Sequence, residues 1–304
     1  AGALSADAEE FHSRLRRPVA IAASSDDRWV YTANRDSGSV SVIDATDRSV
    51  AAEIDVGGQL MDIAVLDEAN LLVVDGESHE LVLLSGGGSE WQIAERLGVA
   101  PYPVRLVADV DSGRCFVSSL WSRAVTLVEI SESPNKSAPR LRAAQNVTVS
   151  YEPREICLTA DRERLIVAGA FRNSFTILNA DGLKFLGARD VSGHNARGLA
   201  ISHDSKSLLI AHQILNPLGQ STQDDVHWGN MLTNVVTTCA VDEFCDPSVT
   251  RLTSRTVRHL GEPGNAAGDP GDISVGPDGE LAIALSGVNE IGIASSSNRY
   301  DLQR

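Results

Sequence analysis

The sequence predicts an all-β chain built as a β-propeller, and three observations carry that reading. A pattern of two short apolar strands joined by a polar turn recurs six times along the 304 residues. The copies keep a period near 43 residues. Each unit then offers further short runs of alternating aliphatic and β-branched residues, enough for four antiparallel strands. A four-stranded unit of this length is a propeller blade, which cannot bury both its faces without neighbours.

The first copy is PVAIAASSDDRWVYTAN (18–34), followed by SGSVSVID and VAAEIDVGG. The second is MDIAVLDEANLLVVDG with ELVLLS, the third PVRLVADVDSGRCFVSS with AVTLVE, and the fourth PREICLTADRERLIVAG with SFTILN. RGLAISHDSKSLLIAH begins the fifth, and GDISVGPDGELAIAL with EIGIAS forms the sixth. Aligned on the first strand, Ile21, Ile63, Leu106, Ile156, Leu199 and Ile273 are 42, 43, 50, 43 and 74 residues apart. Asp-Asp, Asp-Ser-Gly and Pro-Asp-Gly clusters separate the strands, as turn chemistry requires. SEWQIAERLG (89–98) has helical propensity, but its register matches the outermost strand of the first copy, and register outweighs a ten-residue propensity window. Residues 1–17 form an N-terminal arm, helical over 6–17, and 18–304 form the propeller.

Composition fits a globular chain, with 42% hydrophobic and 22% charged residues. A net charge of -15 repels polyanions, which excludes nucleic acid and anionic membranes as natural partners. No apolar run approaches the roughly 18 residues of a spanning helix, so no membrane insertion is expected. The chain begins at Ala1 without an apolar leader, as a processed secretory protein or a trimmed chain would. Cys239 and Cys245 lie close together in a polar stretch, CAVDEFC, which suits a disulfide loop in an oxidising compartment. Cys115 and Cys157 sit in apolar runs and read as buried thiols.

The fifth interval, 74 residues against 43, places a long insertion at about 213–255. Long insertions in repeat proteins map to loops, often on the binding face. His212, Asp224, Asp225, His227, Trp228 and Asn230 are the candidate binding residues of this stretch, with Gln213, Asn216 and Asn234 beside them. Asp and Asn can cap turns here while Trp228 packs on the blade. Alternatively, an aromatic flanked by hydrogen-bonding groups suits a docking surface. Asp224-Asp225-x-His227 lacks the spacing of a zinc or calcium signature, so no metal ligand set is assigned.

Loops entering each innermost strand point toward the propeller axis. They carry Asp62, Arg105, Arg154, Glu155, Arg197 and Asp272, with His194 in the same kind of loop. Charges of both signs would ring the tunnel mouth and salt-bridge between blades, whereas a substrate funnel needs one dominant sign. No Gly-x-Ser-x-Gly elbow, phosphate-binding loop or His-Glu-x-x-His occurs, so no catalytic residue is assigned. Asp109 to Gly113 mimics the start of a calcium loop but occupies a hairpin turn.

VYTAN followed by SGSVSVID resembles the YVTN family of β-propellers, which are extracytoplasmic modules and often seven-bladed. AHQILNPLGQSTQDDVHWGNMLTNVV and GEPGNAAGDPGD are similar to segments of propellers that precede c-type cytochrome, di-haem-peroxidase-like domains in secreted bacterial proteins. The resemblance implies a periplasmic or extracellular scaffold that docks a redox domain or protein partner. It also implies that these six recognisable blades are part of a seven-bladed ring, completed by a continuation past Arg304 or by association through open blade edges. No Cys-x-x-Cys-His occurs, so no cofactor is expected in this chain and haem would belong to the partner. Two other roles stand beside this one. One is a propeller enzyme with a metal-dependent hydrolase or lactonase-like axial site, and the other a surface-layer or adhesion protein.

Overall fold

A computed structural model describes residues 15–132, 138–227, 231–261 and 267–294, with the backbone alone at 227 and 302–303. The expected arm helix therefore lies almost wholly outside the described residues. Contacts group the chain into two compact units, Ala1–Thr148 and Val149–Arg304.

The first unit holds three antiparallel four-stranded sheets, each a simple meander. They are β1 (Pro18–Ala23), β2 (Trp29–Asn34), β3 (Ser39–Asp44) and β4 (Ser49–Asp55); β5 (Leu60–Asp67), β6 (Asn70–Asp75), β7 (Glu80–Gly87) and β8 (Glu90–Gly98); and β9 (Pro103–Asp109), β10 (Arg114–Ser119), β11 (Ala124–Ser131) and β12 (Arg140–Thr148). The stretch with helical propensity is the edge strand β8. Leu71 and Val73 of β6 pack with Tyr31, Ala33 and Val40 of the first sheet, while Leu72 and Val74 pack with Leu106, Cys115 and Val117 of the third. Because a middle sheet buries both faces, β6 reads as a continuous apolar run instead of an alternating one. The first sheet buries only one face in this way. On its other face Ile21 remains 70% exposed.

In the second unit a seven-stranded sheet comprises β13 (Pro153–Leu158), β14 (Arg164–Gly169), β15 (Arg172–Asn179), β16 (Phe185–Ile201), β17 (Ser207–Leu215), β18 (Leu232–Ala240) and β19 (Thr256–His259). β16 bends through it, pairing β15 at 185–190 and β17 at 198–201, with His194 in register with both neighbours. Beyond it lie β20 (Pro270–Val275), β21 (Leu281–Leu285), β22 (Glu290–Ala294) and the two-residue β23 (Leu302–Gln303). Ile273, Leu281 and Ile283 pack with Leu209, Ala211 and Val236. The opposite face of this last sheet presents Ile291 and Ile293, 63% and 45% exposed.

One turn recurs between the first two strands of the repeat and explains why those hairpins form. Ser24, Thr159 and Ser202 each donate a hydroxyl hydrogen bond to the aspartate two residues on, Asp26, Asp161 and Asp204, at 2.5, 2.5 and 2.6 Å. That carboxylate accepts the N–H two residues further along, at 3.0–3.1 Å. The intervening residues Asp27, Arg162 and Ser205 take left-handed backbone angles, φ 57°, 61° and 63°. The side chain thus supplies hydrogen bonds that no strand ladder provides at the bend.

Two expectations need correction. The long insertion is not all loop: it carries β18 and leads into β19, which together complete the seven-stranded sheet, and the rest of it forms two excursions, 216–231 and 241–255. Cys239 and Cys245 are free thiols and not a disulfide. The run CAVDEFC is the end of β18 followed by a helical turn, Val241–Cys245, whose Val241, Phe244 and Cys245 face inward. Both sulfurs lie in the core with Ile177, Leu208 and Ile210, where they serve as small apolar groups. Burial pushes the Cys239 thiol up to about 12 and the Cys245 thiol up to about 11.

Candidate functional site

At the loop end of the second unit, side chains from β13, β16, β17, β18 and the approach to β20 join in one polar network. Arg154 Nη1 donates to Asn195 Oδ1 at 3.4 Å. Asn195 Nδ2 donates to Gln213 Oε1 and to Asp269 Oδ1, both at 3.2 Å. Gln213 Nε2 reaches Asn234 Oδ1 at 3.0 Å, and Arg197 pairs with the other oxygen of Asp269. The register shift in β16 between His194 and Gly198 lifts Asn195 into this position, with φ 56°. Half-buried and cross-braced, the network gathers Arg154 and Arg197 from the axial set. It adds Asn195 and Asp269, which the sequence reading did not assign.

In the first unit Asp62 Oδ2 accepts Leu106 N–H at 2.8 Å, Oδ1 accepts Ile63 N–H at 3.0 Å, and Arg105 stands 3.7 Å away. The carboxylate ties the innermost strand of one sheet to that of the next. Asp272 repeats part of this motif, accepting Ile273 N–H at 3.0 Å. Glu155 is buried on β13. His194 is half-buried.

The candidates of the fifth unit do not form one cluster. His212 is fully buried on β17, its Nε2 2.7 Å from Thr237 Oγ1, so it leaves the candidate surface. Desolvation lowers its pKa to about 4, which keeps the imidazole neutral at pH 7. Thr222 caps the short helix Gln223–His227 and Asp225 braces the cap: Thr222 Oγ1 accepts Asp225 N–H, and the Asp225 carboxylate accepts the Thr222 hydroxyl, both at 3.1 Å. Asp224 is exposed in the same turn. Trp228, Asn230 and the His227 side chain lie outside the described residues. Among the described residues, no group of three or more His, Cys, Asp or Glu is placed to hold a metal ion.

The second excursion, 241–255, is held by two charged side chains. Arg189 of β16 donates Nε to Phe244 O at 2.8 Å and its other nitrogens to the carbonyls of Glu243, Asp246 and Val249. Glu243 accepts from the N–H and hydroxyl groups of both Thr253 and Ser254. The Ser254 hydroxyl, first among these donors, helps draw its carboxyl down to about 2. The loop so fixed borders a concavity of about 960 Å³ lined by Arg189, Ser192, Thr250, Arg251 and Arg255 among others. Sequence reasoning passed over these arginines. Their signal was PSVTRLTSRTVRH (247–259), thirteen residues with three arginines and no acid in a chain of net charge -15.

No protein-family model matches the chain, and no curated protein matches it. Solved structures do. A hydrazine synthase structure from Kuenenia stuttgartiensis is 20% identical with a TM-score of 0.75, over 94% of this chain and 81% of that one. A putative 6-phosphogluconolactonase from Bacteroides fragilis is 16% identical with a TM-score of 0.69, over 94% and 82%. The Cps50 (Swd1) β-propeller domain of Myceliophteria thermophila is 10% identical with a TM-score of 0.61, over 92% and 84%. At these identities the likeness is one of fold, and the fold is an all-β propeller.

Proposed function

We propose that the chain is a binding scaffold whose partner covers the open face of its last sheet. The exposure of Ile291 and Ile293 on the last sheet carries this reading, and Ile21 on the first sheet supports it. Middle sheets of the same repeat bury the corresponding apolar positions: Ile63, the counterpart of Ile21, is 6% exposed. Apolar side chains at positions built for sheet-on-sheet packing favour a second β-sheet as the occupant. We read the seven-stranded sheet as two blades sharing β16, which makes six among the described residues. A four-stranded sheet of the partner would seat on the open face of the last sheet.

The resemblance to propellers that precede c-type cytochrome domains makes a redox domain the partner of choice and an extracytoplasmic compartment its setting. Catalysis at the loop end would need carboxylates free to converge on a ligand, and Asp269 is already bridged by Asn195 and Arg197. Capture of a haem-staining partner from an envelope fraction, lost when Ile291 and Ile293 are both replaced by Asp, tests the reading.

A further inference from the structure

The concavity beside the loop 246–255 pairs a rigid frame with two uncompensated charges. Arg189 is fully engaged in holding carbonyls, so it is part of the frame. Arg251 and Arg255 are exposed, line the same concavity, and make no ion pair or hydrogen bond among the described residues. One carboxylate lines it, Asp190, which already accepts the Ser174 hydroxyl at 2.6 Å. Thr250 and Ser192 add hydroxyl donors at the rim.

Several other arginines of this acidic chain find carboxylates: Arg16 with Glu53, Arg96 with Glu80, Arg114 with Asp109 and Arg197 with Asp269. Two arginines without an ion pair on a braced concave surface offer positive charge to a ligand in a molecule of net negative charge. Guanidinium groups match the oxygens of phosphate and carboxylate in a bidentate fork, and hydroxyls complete such a shell. The concavity falls in the range of small-molecule sites and exceeds the size of a single inorganic ion.

From this geometry we infer that Arg251 and Arg255 form a binding site for a small molecule carrying an oxyanion, a phosphate or carboxylate, on a larger organic body. The site is independent of the open sheet faces and stands or falls separately from the scaffold reading.

The test is an amide NMR titration with inorganic phosphate and, in a parallel arm, succinate, each at ionic strength matched with sodium chloride. Saturable shifts confined to Ser192 and 249–255 are expected in at least one arm, and the stronger arm identifies the oxyanion. Arg251→Gln and Arg255→Gln should each weaken that binding tenfold or more. Arg48→Gln, an exposed arginine of the first unit, should leave it unchanged. Absence of saturable binding in both arms, or equal weakening by all three substitutions, overturns the inference. So does recognition of an acidic peptide with no response to either small probe.

Discussion

The Glu243 carboxylate accepts both the backbone N–H and the hydroxyl of Thr253, at 2.5 and 2.7 Å. Ser254 repeats the pattern on the same carboxylate. Together with Arg189 from the other side, this closes the excursion 241–255 without a covalent bond. Hydrogen bonds to the charged form hold the Glu243 carboxyl at about 2, against 4.5 unperturbed. A carboxyl depressed in the fold contributes stability that is present above its unfolded value and is lost as pH falls toward the folded one. Hydrogen exchange at 248–252 should therefore accelerate as pH drops from about 4.5 to 2, after correction for intrinsic rates. Glu243→Gln should accelerate it at pH 7 as well, and unchanged protection in that variant would contradict the role given to Glu243.

Thiol counting separates this closure from a disulfide. Denatured protein prepared without reductant should titrate four thiols, since all four cysteines are free. A count of two would restore the Cys239–Cys245 bond. In the native protein at pH 8 modification should be slow, because burial holds the Cys239 and Cys245 thiols near 12 and 11.

His212 sets a second pH dependence, of opposite chemistry. Its pKa falls from 6.5 to about 4 on folding, so the unfolded chain takes up a proton that the folded one refuses. Stability is then full above pH 6.5 and declines as pH drops toward 4, by about 3 kcal/mol at 1.36 kcal/mol per unit. His212→Gln should remove this decline from urea titrations taken between pH 7 and 4. An identical slope in variant and parent would show that His212 is not its source.

Asp62→Ala should destabilise the first unit by roughly 1–3 kcal/mol, because Leu106 N–H loses a charged acceptor inside the sheet interface. Denaturant midpoints report this directly. A change below 0.5 kcal/mol would mean that water replaces the carboxylate.

How far the sequence carries depends on the range of the interactions. The hydroxyl-x-Asp turns at Ser24, Thr159 and Ser202 are local, and so the hairpins and their period are legible in the chain. Ile21, Ile63, Leu106, Ile156 and Ile273 fall on strands that begin a sheet, and Leu199 falls on the half of β16 that pairs with β17. The continuous bend of β16 was not legible, since one strand serving two partners leaves no turn signal. Nor were the contacts that replace the disulfide, in which Arg189 reaches carbonyls 54 to 60 residues away. His212 looked like a surface ligand because its neighbours are polar. Burial is a property of the sheet it belongs to, and the run HQILN does not encode it.

The central claim, that a partner covers the open face of the last sheet, is tested most directly by parallel affinity capture from an envelope fraction. The baits are the parent chain and the Ile291→Asp/Ile293→Asp variant, with melting temperatures measured for both. Two exposed substitutions should leave the melting temperature within a few degrees. The account predicts one partner captured in stoichiometric amount by the parent and lost from the variant. Equal capture by both baits would contradict it.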